Sequence, residues 1–193
     1  MERSSMTDSV QMPVMETTNL SLRAFRPEDA PEVQRMAGSY FVADTTMAIP
    51  HPYDLAMAVG WIGSLPDEFR YKHCPTWAIA SKSDLCLLGA ISLLATEPGH
   101  QAELGYWIGQ EHSGRGICTE AARAVVRFGF EEMDLRRIHA RHLSRNPASG
   151  RVMEKLGMTL EGIRRSHASK WGKLEDVVLY GMLREDWRSS PGQ

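Results

Sequence analysis

Apolar and polar residues alternate along 19–24, 102–108 and 137–143, the period-two pattern of strands with one buried face. Residues 76–80 and 85–94 read as two further strands, and the turn-forming stretch 81–84 makes the pair a hairpin. The runs 159–166 and 176–183 close the chain as a last strand pair around a loop at Trp171-Gly172. Between these runs the apolar period lengthens. Val33, Met36 and Ala37 predict a helix that Asp29 caps and Gly38 ends. Ala56, Val59, Trp61, Ile62 and Leu65 predict a second helix, capped by Asp54 and stopped at Pro66. Small or apolar residues at 122, 125, 126, 129, 130 and 133 predict a long third one. Asn146-Pro147 supplies a cap and a first-turn proline for a fourth, which Gly157 ends. Residues 41–53 show no clean period, and Ile49-Pro50-His51-Pro52-Tyr53 reads as extended loop. The order strand, helix, helix, three strands, helix, strand, helix, two strands is that of an α+β protein, a mixed sheet with helices on its faces.

Composition narrows the class without naming a function. With 193 residues the chain suits one domain with a full core, expected over 17–187 between a flexible leader, 1–16, and a short tail, 188–193. A formal charge of −2 supplies no general attraction to nucleic acid or to an anionic membrane. Cys74, Cys86 and Cys118 make an odd set with no C-x-x-C pair, against a disulfide framework or a zinc ribbon and in keeping with a reducing cytoplasm. No run of about 18 apolar residues would span a bilayer, and the first 15 residues lack the apolar core of a signal peptide. A cytoplasmic location is the expectation. A homodimer would need exposed apolar edges, which the sequence does not locate.

The densest chemical signal is 112–121, His-Ser-Gly-Arg-Gly-Ile-Cys-Thr-Glu-Ala, between the strand at 102–108 and the long helix. Two glycines at a strand-to-helix junction let backbone N–H groups converge on an anion. The first helical turn leaves N–H donors unpaired, and the helix dipole favours negative charge there. The local physics points to phosphate or pyrophosphate. A Walker loop would need a G-x-x-x-x-G-K-[ST] lysine, which is absent. A dinucleotide fingerprint would need a third glycine where Thr119 stands.

The stretch 103–121 resembles the acetyl-coenzyme A loop of the GNAT N-acetyltransferases, most closely the subgroup that acetylates ribosomal-protein N-termini. The family pattern Gln/Arg-x-x-Gly-x-Gly/Ala falls on Ser113-Gly114-Arg115-Gly116-Ile117-Cys118; Gly116 fits the central glycine, and Ser113 and Cys118 depart at the ends. A second signature, Asn-x-x-Ser before a short helix and Leu-Gly-Phe, resembles Asn146-Pro147-Ala148-Ser149 and then Leu156-Gly157-Met158, with Met158 replacing the aromatic. The element order and the closing Glu161-Gly162, Arg164, Asp176 and Tyr180 extend the likeness over about 17–187. The resemblance implies a GNAT fold, a mixed and mostly antiparallel central sheet flanked by helices. It implies acetyl transfer from acetyl-coenzyme A, without a metal, to the primary amine of a protein N-terminus or a small molecule. Ser113, Gly114, Arg115, Gly116, Ile117, Cys118 and Thr119 would hold the pyrophosphate by backbone N–H groups, and Asn146 would align the pantetheine arm. Ser149 would lie near the thioester sulfur. Tyr53 and Trp61 would border the acceptor site, or serve only as core or rim aromatics.

Amine acetylation needs an unprotonated nitrogen, so a base or a water path must take a proton. Glu103, on the strand that feeds the glycine loop, is the candidate, sharing a face with Gly105 and Trp107. A solvated strand carboxylate is the plainer reading. Asn146 can cap a helix and touch a ligand at once, and Ser149 can donate to a leaving thiolate or satisfy its own backbone. His139, His142 and His167 are weaker bases, and none has metal-ligand spacing. Cys118 at a helix N-terminus is a further nucleophile to consider. Two rivals remain: an acetyl-coenzyme A sensor or subunit of the same fold without catalysis, and a nucleotide-binding protein of another fold.

Overall fold

The computed structural model describes residues 11–97 and 99–188, Arg188 without its side chain. Residues 1–10 of the expected leader, and the expected tail beyond Arg188, lie outside the described residues. The elements in order are β1 (Met15–Glu16), β2 (Leu20–Arg23), α1 (Ala30–Ala37), α2 (Tyr40–Thr45), α3 (Leu55–Lys72), β3 (Thr76–Ser81), β4 (Leu87–Glu97), β5 (Gln101–Ile108), α4 (Ile117–Glu131), β6 (Arg137–Leu143), α5 (Pro147–Lys155), β7 (Thr159–Lys170), β8 (Lys173–Leu183) and α6 (Arg184–Arg188). The strands form one sheet in the order β1-β2-β3-β4-β5-β6-β8-β7. Every neighbouring pair is antiparallel except β5 with β6.

Strand alternation sends alternate residues into two apolar clusters. In β3, Trp77 and Ile79 join the larger cluster with Leu93, Leu104, Val125 and Phe130, while Ala78 joins the smaller one with Val33, Met36 and Ile62. Helix α4 closes the larger cluster, burying Ala121, Ala122, Val125, Val126 and Phe130. Gly129 lets it sit close: a Cβ there would stand 2.9 Å from Ile138 Cδ1 and 3.0 Å from Leu93 Cδ1. Helices α1 and α3 cover the smaller cluster. Burying one Val or Phe of this kind contributes about 1.5–3 kcal/mol.

Several expectations needed correction. The leader does not run to residue 16: Met15–Glu16 pair with β2, and Trp77 Nε1 donates to the Pro13 carbonyl at 2.8 Å. Asp29 precedes α1, but its carboxylate does not cap it. It accepts from the Arg26 N–H at 2.8 Å and from both terminal nitrogens of Arg23 at 2.7 and 2.8 Å. Residues 41–53 contain α2, too short for a helical period to show; Ser39 Oγ caps it, accepting from the Val42 N–H at 3.3 Å. Helix α3, capped by Asp54 as expected, runs six residues past Pro66. Pro66 is exposed, so the carbonyl its ring leaves unbonded can turn to solvent and the helix continues. Strands β7 and β8 both extend to a tight turn, where Trp171 (φ 53°) and Gly172 (φ 74°) are both left-handed, the geometry of a two-residue hairpin loop.

The feature that positions a site is a gap in the sheet. Strands β5 and β6 pair only at Gln101↔Arg137, Ala102↔Ile138 and Glu103↔His139. Beyond Glu103 they diverge, β5 staying with β4 while β6 continues along β8.

Candidate active site

A cavity of about 1150 Å³ opens where β5 and β6 part. Glu103, Ser113 through Thr119, Asn146, Ser149, Tyr53 and Trp61 all line it, whereas of the three histidines weighed as bases only His142 does.

One half lies against the head of α4. Gly114 (φ 76°) and Gly116 (φ 81°) both take left-handed backbone, and Gly116 caps the helix. Any other L-residue would carry about 1–2 kcal/mol of strain at each. The N–H groups of residues 114–119 have no protein acceptor among the described residues. The first turn is pinned from outside by Glu120, whose carboxylate accepts from Thr17 Oγ1 (2.6 Å), the Asn19 N–H (2.7 Å) and Asn19 Nδ2 (3.0 Å). Burial works to raise the Glu120 pKa, but these donors outweigh it and hold the group below the usual carboxylate value. Arg115, Arg151 and Lys155 also line this half, and none is ion-paired among the described residues. Such amides and cations suit a polyphosphate-bearing ligand.

At the seam stand two hydroxyls. Ser149, in the first turn of α5, has its Oγ 2.9 Å from the Tyr106 hydroxyl, which donates to the Ser149 carbonyl at 3.1 Å. Burial pushes the Tyr106 phenol well above its ordinary pKa, so it stays protonated. Asn146 caps α5 with a long bond, the Ser149 N–H to its Oδ1 at 3.4 Å, and reaches the Thr45 carbonyl with Nδ2 at 3.5 Å. Both bonds are at the outer limit of hydrogen bonding, so a ligand carbonyl or N–H can compete for the amide.

Glu103 sits where the strands divide and accepts from Arg141 Nε at 2.9 Å through Oε1. Oε2 has no partner among the described residues. His139 is its cross-strand partner, yet its Nε2 lies 3.3 Å from Thr96 Oγ1, and it is not part of the cavity lining. Burial lowers its pKa. His142 lines the cavity, with Nδ1 2.8 Å from the Leu143 carbonyl. His167 lies on exposed β7 beside Arg164. Burial pushes the Cys118 thiol up to about 12, which removes the thiolate a nucleophile needs.

The other half is walled by α1, α2, the loop 46–54 and α3. Phe41, Met47, Ile49, Tyr53, Met57 and Trp61 face it. Trp61 packs edge-on to Phe25 with ring centres 4.9 Å apart. Burial raises the Tyr53 pKa. This wall is clasped from the far end of the sheet. The buried Lys170 donates Nζ to the Ile49 carbonyl at 2.9 Å and lies 4.4 Å from the Trp171 ring centre. Trp171 Nε1 donates to Asp44 Oδ1 at 2.7 Å, and its ring lies nearly parallel to that of Tyr40, with centres 6.1 Å apart. Arg145 holds Asp44 and Glu175 together. A tryptophan at a left-handed position costs about 1–2 kcal/mol, which these contacts offset.

Tyr106, Arg141, Arg151, Lys155 and the clasp escaped the sequence reading. Tyr106 alone carried a signal, an aromatic hydroxyl alternating on the strand that leads to the loop. The others sit on no motif. Among the described residues no cluster of three His, Cys, Asp or Glu side chains could hold a metal, and no helix is long and apolar enough to cross a membrane.

Comparison with known proteins agrees with this geometry. The family model of the acetyltransferase (GNAT) domain matches residues 19–159. The chain is 39% identical over 112 residues to the probable N-acetyltransferase YjcK of Bacillus subtilis, covering 57% of this chain and 62% of that protein. It is 33% identical over 94 residues to the [ribosomal protein uS5]-alanine N-acetyltransferase of Escherichia coli, covering 49% and 47%. Across the first curated relatives the match spans about three-fifths of their length. The solved structure of Mycobacterium smegmatis RimJ in complex with CoA-disulfide superposes with a TM-score of 0.81 at 21% identity, over 92% of this chain and 90% of that one, a likeness of fold.

Proposed function

The chain belongs to the GNAT acetyltransferase family, and on that premise we propose that it transfers an acetyl group from acetyl-coenzyme A to a primary amine by direct attack in a ternary complex. One observation carries the reading: a single cavity joins an anion-binding loop, a hydrogen-bonded pair of hydroxyls and a carboxylate. The CoA-disulfide in complex with RimJ supports the choice of donor. The N–H groups of 114–119 would hold the pyrophosphate, with Arg115, Arg151 and Lys155 within the same half for its charges. Asn146 would exchange its long bonds for the pantetheine amides.

When bound, acetyl-coenzyme A supplies a thioester carbonyl at the seam. The acceptor nitrogen forms the new C–N bond as the C–S bond breaks; the nitrogen loses a proton and the sulfur gains one. Glu103 takes the nitrogen's proton through Oε2, the oxygen Arg141 leaves open. Ser149 donates a hydrogen bond to the departing thiolate, and the sulfur takes its proton from solvent. Tyr106, a phenol kept neutral by burial, donates to the Ser149 carbonyl and lies within hydrogen-bond reach of its Oγ, which holds the serine at the seam. The three unpaired cysteines and the use of acetyl-coenzyme A support a cytoplasmic location.

Initial rates of thiol release, measured with both substrates varied, test the ternary complex. Intersecting lines are expected; parallel lines would mean an acetyl-enzyme and would overturn direct attack. Glu103→Gln should lower the rate most at low pH, where free amine is scarce. A pH–rate profile unchanged by the substitution would remove Glu103 from the mechanism.

A further inference from the structure

Resting on the acetyltransferase reading above, we infer that the acceptor is a monoamine on an apolar body, of the kind a hydrophobic amino acid presents either free or at the head of a peptide. The charges lining the cavity are unevenly placed. Between Val33 and Trp61 the lining contains no charged side chain. Among the described residues Glu103 is the one carboxylate in the whole lining, and it already faces Arg141. The acids just outside the wall are engaged as well. Asp44 is held by Arg145 and the Trp171 indole, Asp54 caps α3 on the Met57 N–H, and Glu32 pairs with Arg35.

A polyamine or an aminoglycoside brings several ammonium groups. One could face Glu103. Each of the others would lie against Phe41, Met47, Ile49, Met57 and Trp61 with no opposite charge in reach, giving up part of its hydration with nothing to offset the loss. An aromatic or branched body does the reverse, since it gains from contact with the same wall. The wall also contains Thr45 and Thr46, whose hydroxyls donate to the Phe41 and Val42 carbonyls and so can only accept from a single polar link.

The test is a panel of acceptors at fixed pH and saturating acetyl-coenzyme A, read as thiol release. Leucinamide and phenylethylamine represent the free source. A short peptide beginning with Phe or Leu represents the peptide source, and spermidine and kanamycin represent polycations. At least one apolar monoamine should exceed both polycations by about tenfold or more in kcat/KM. Which of the free and peptide arms leads identifies the source. Met57→Glu, a substitution at an exposed helical position on the mouth of the wall, should narrow that preference several-fold by offering the missing charge. Faster turnover of spermidine or kanamycin by the unaltered protein would overturn the inference while leaving acetyl transfer intact. No thiol release from any arm by folded protein would instead overturn the acetyltransferase reading with it.

Discussion

The half of the cavity beside α4 is made from two short stretches of chain, 113–119 and 146–155, which give it backbone amides and three cationic side chains. The half under α1–α3 draws on α1, α2, the loop 46–54 and α3, and is held shut by Lys170 and Trp171 from a hairpin more than 100 residues away. The first half carries three cations without an ion pair among the described residues; the second carries apolar and aromatic side chains. A site that must bind one invariant donor can be encoded locally, in glycines and caps. A site that selects an acceptor is free to vary, because side chains from distant segments make it. Changes on one side should therefore leave the other side's affinity alone.

The seam belongs to both halves, and breaking it should have the largest effect. Ser149→Ala should lower kcat about 100-fold while the Kd for acetyl-coenzyme A moves little. Tyr106→Phe should follow the same pattern more weakly, about tenfold, because Ser149 keeps its own proton. If Tyr106→Phe raises Kd rather than lowering kcat, the phenol packs the cavity and does not position Ser149. Next in size, Gly116→Val strains the left-handed cap and should weaken acetyl-coenzyme A about tenfold in a calorimetric titration, with KM for the acceptor unchanged. Trp171→Gly tests the other side. Glycine fits the left-handed turn, so the hairpin survives without its clasp, and KM for the acceptor should rise about fivefold, the loss of roughly 1 kcal/mol of positioning contacts. An equal change in acetyl-coenzyme A affinity would break the separation. The smallest effect should come from Cys118→Ala. With its thiol pushed up to about 12 by burial, Cys118 is protonated at every pH where the protein would work, and turnover should stay within about twofold.

This division also decides what could be read from the sequence. Gly114, Gly116, Asn146 and Pro147 announce their backbone roles by type and position, and α4, α5, β5 and β6 follow from them and from periodicity. The gap between β5 and β6 was not legible, because the loss of pairing after Glu103↔His139 depends on where two distant strands lead. Glu103 stands out as a carboxylate on the right strand, but its pairing with Arg141 does not. The acceptor wall is only half visible. Tyr53 and Trp61 show in the sequence, while α2 is hidden because six residues carry no period, and Trp171 reads as a loop residue because its partner Asp44 lies 127 positions earlier.

The claim at the centre is that the loop 113–119 binds acetyl-coenzyme A through its backbone amides. Calorimetric titration of the purified protein with acetyl-coenzyme A, with ATP and NADP run alongside, tests it most directly. Saturable binding of acetyl-coenzyme A is expected, with far weaker binding of the two nucleotides. The affinity should fall as salt rises, because on this account Arg115, Arg151 and Lys155 would face the ligand. Folded protein that ignores acetyl-coenzyme A, or binds ATP as well, would contradict it.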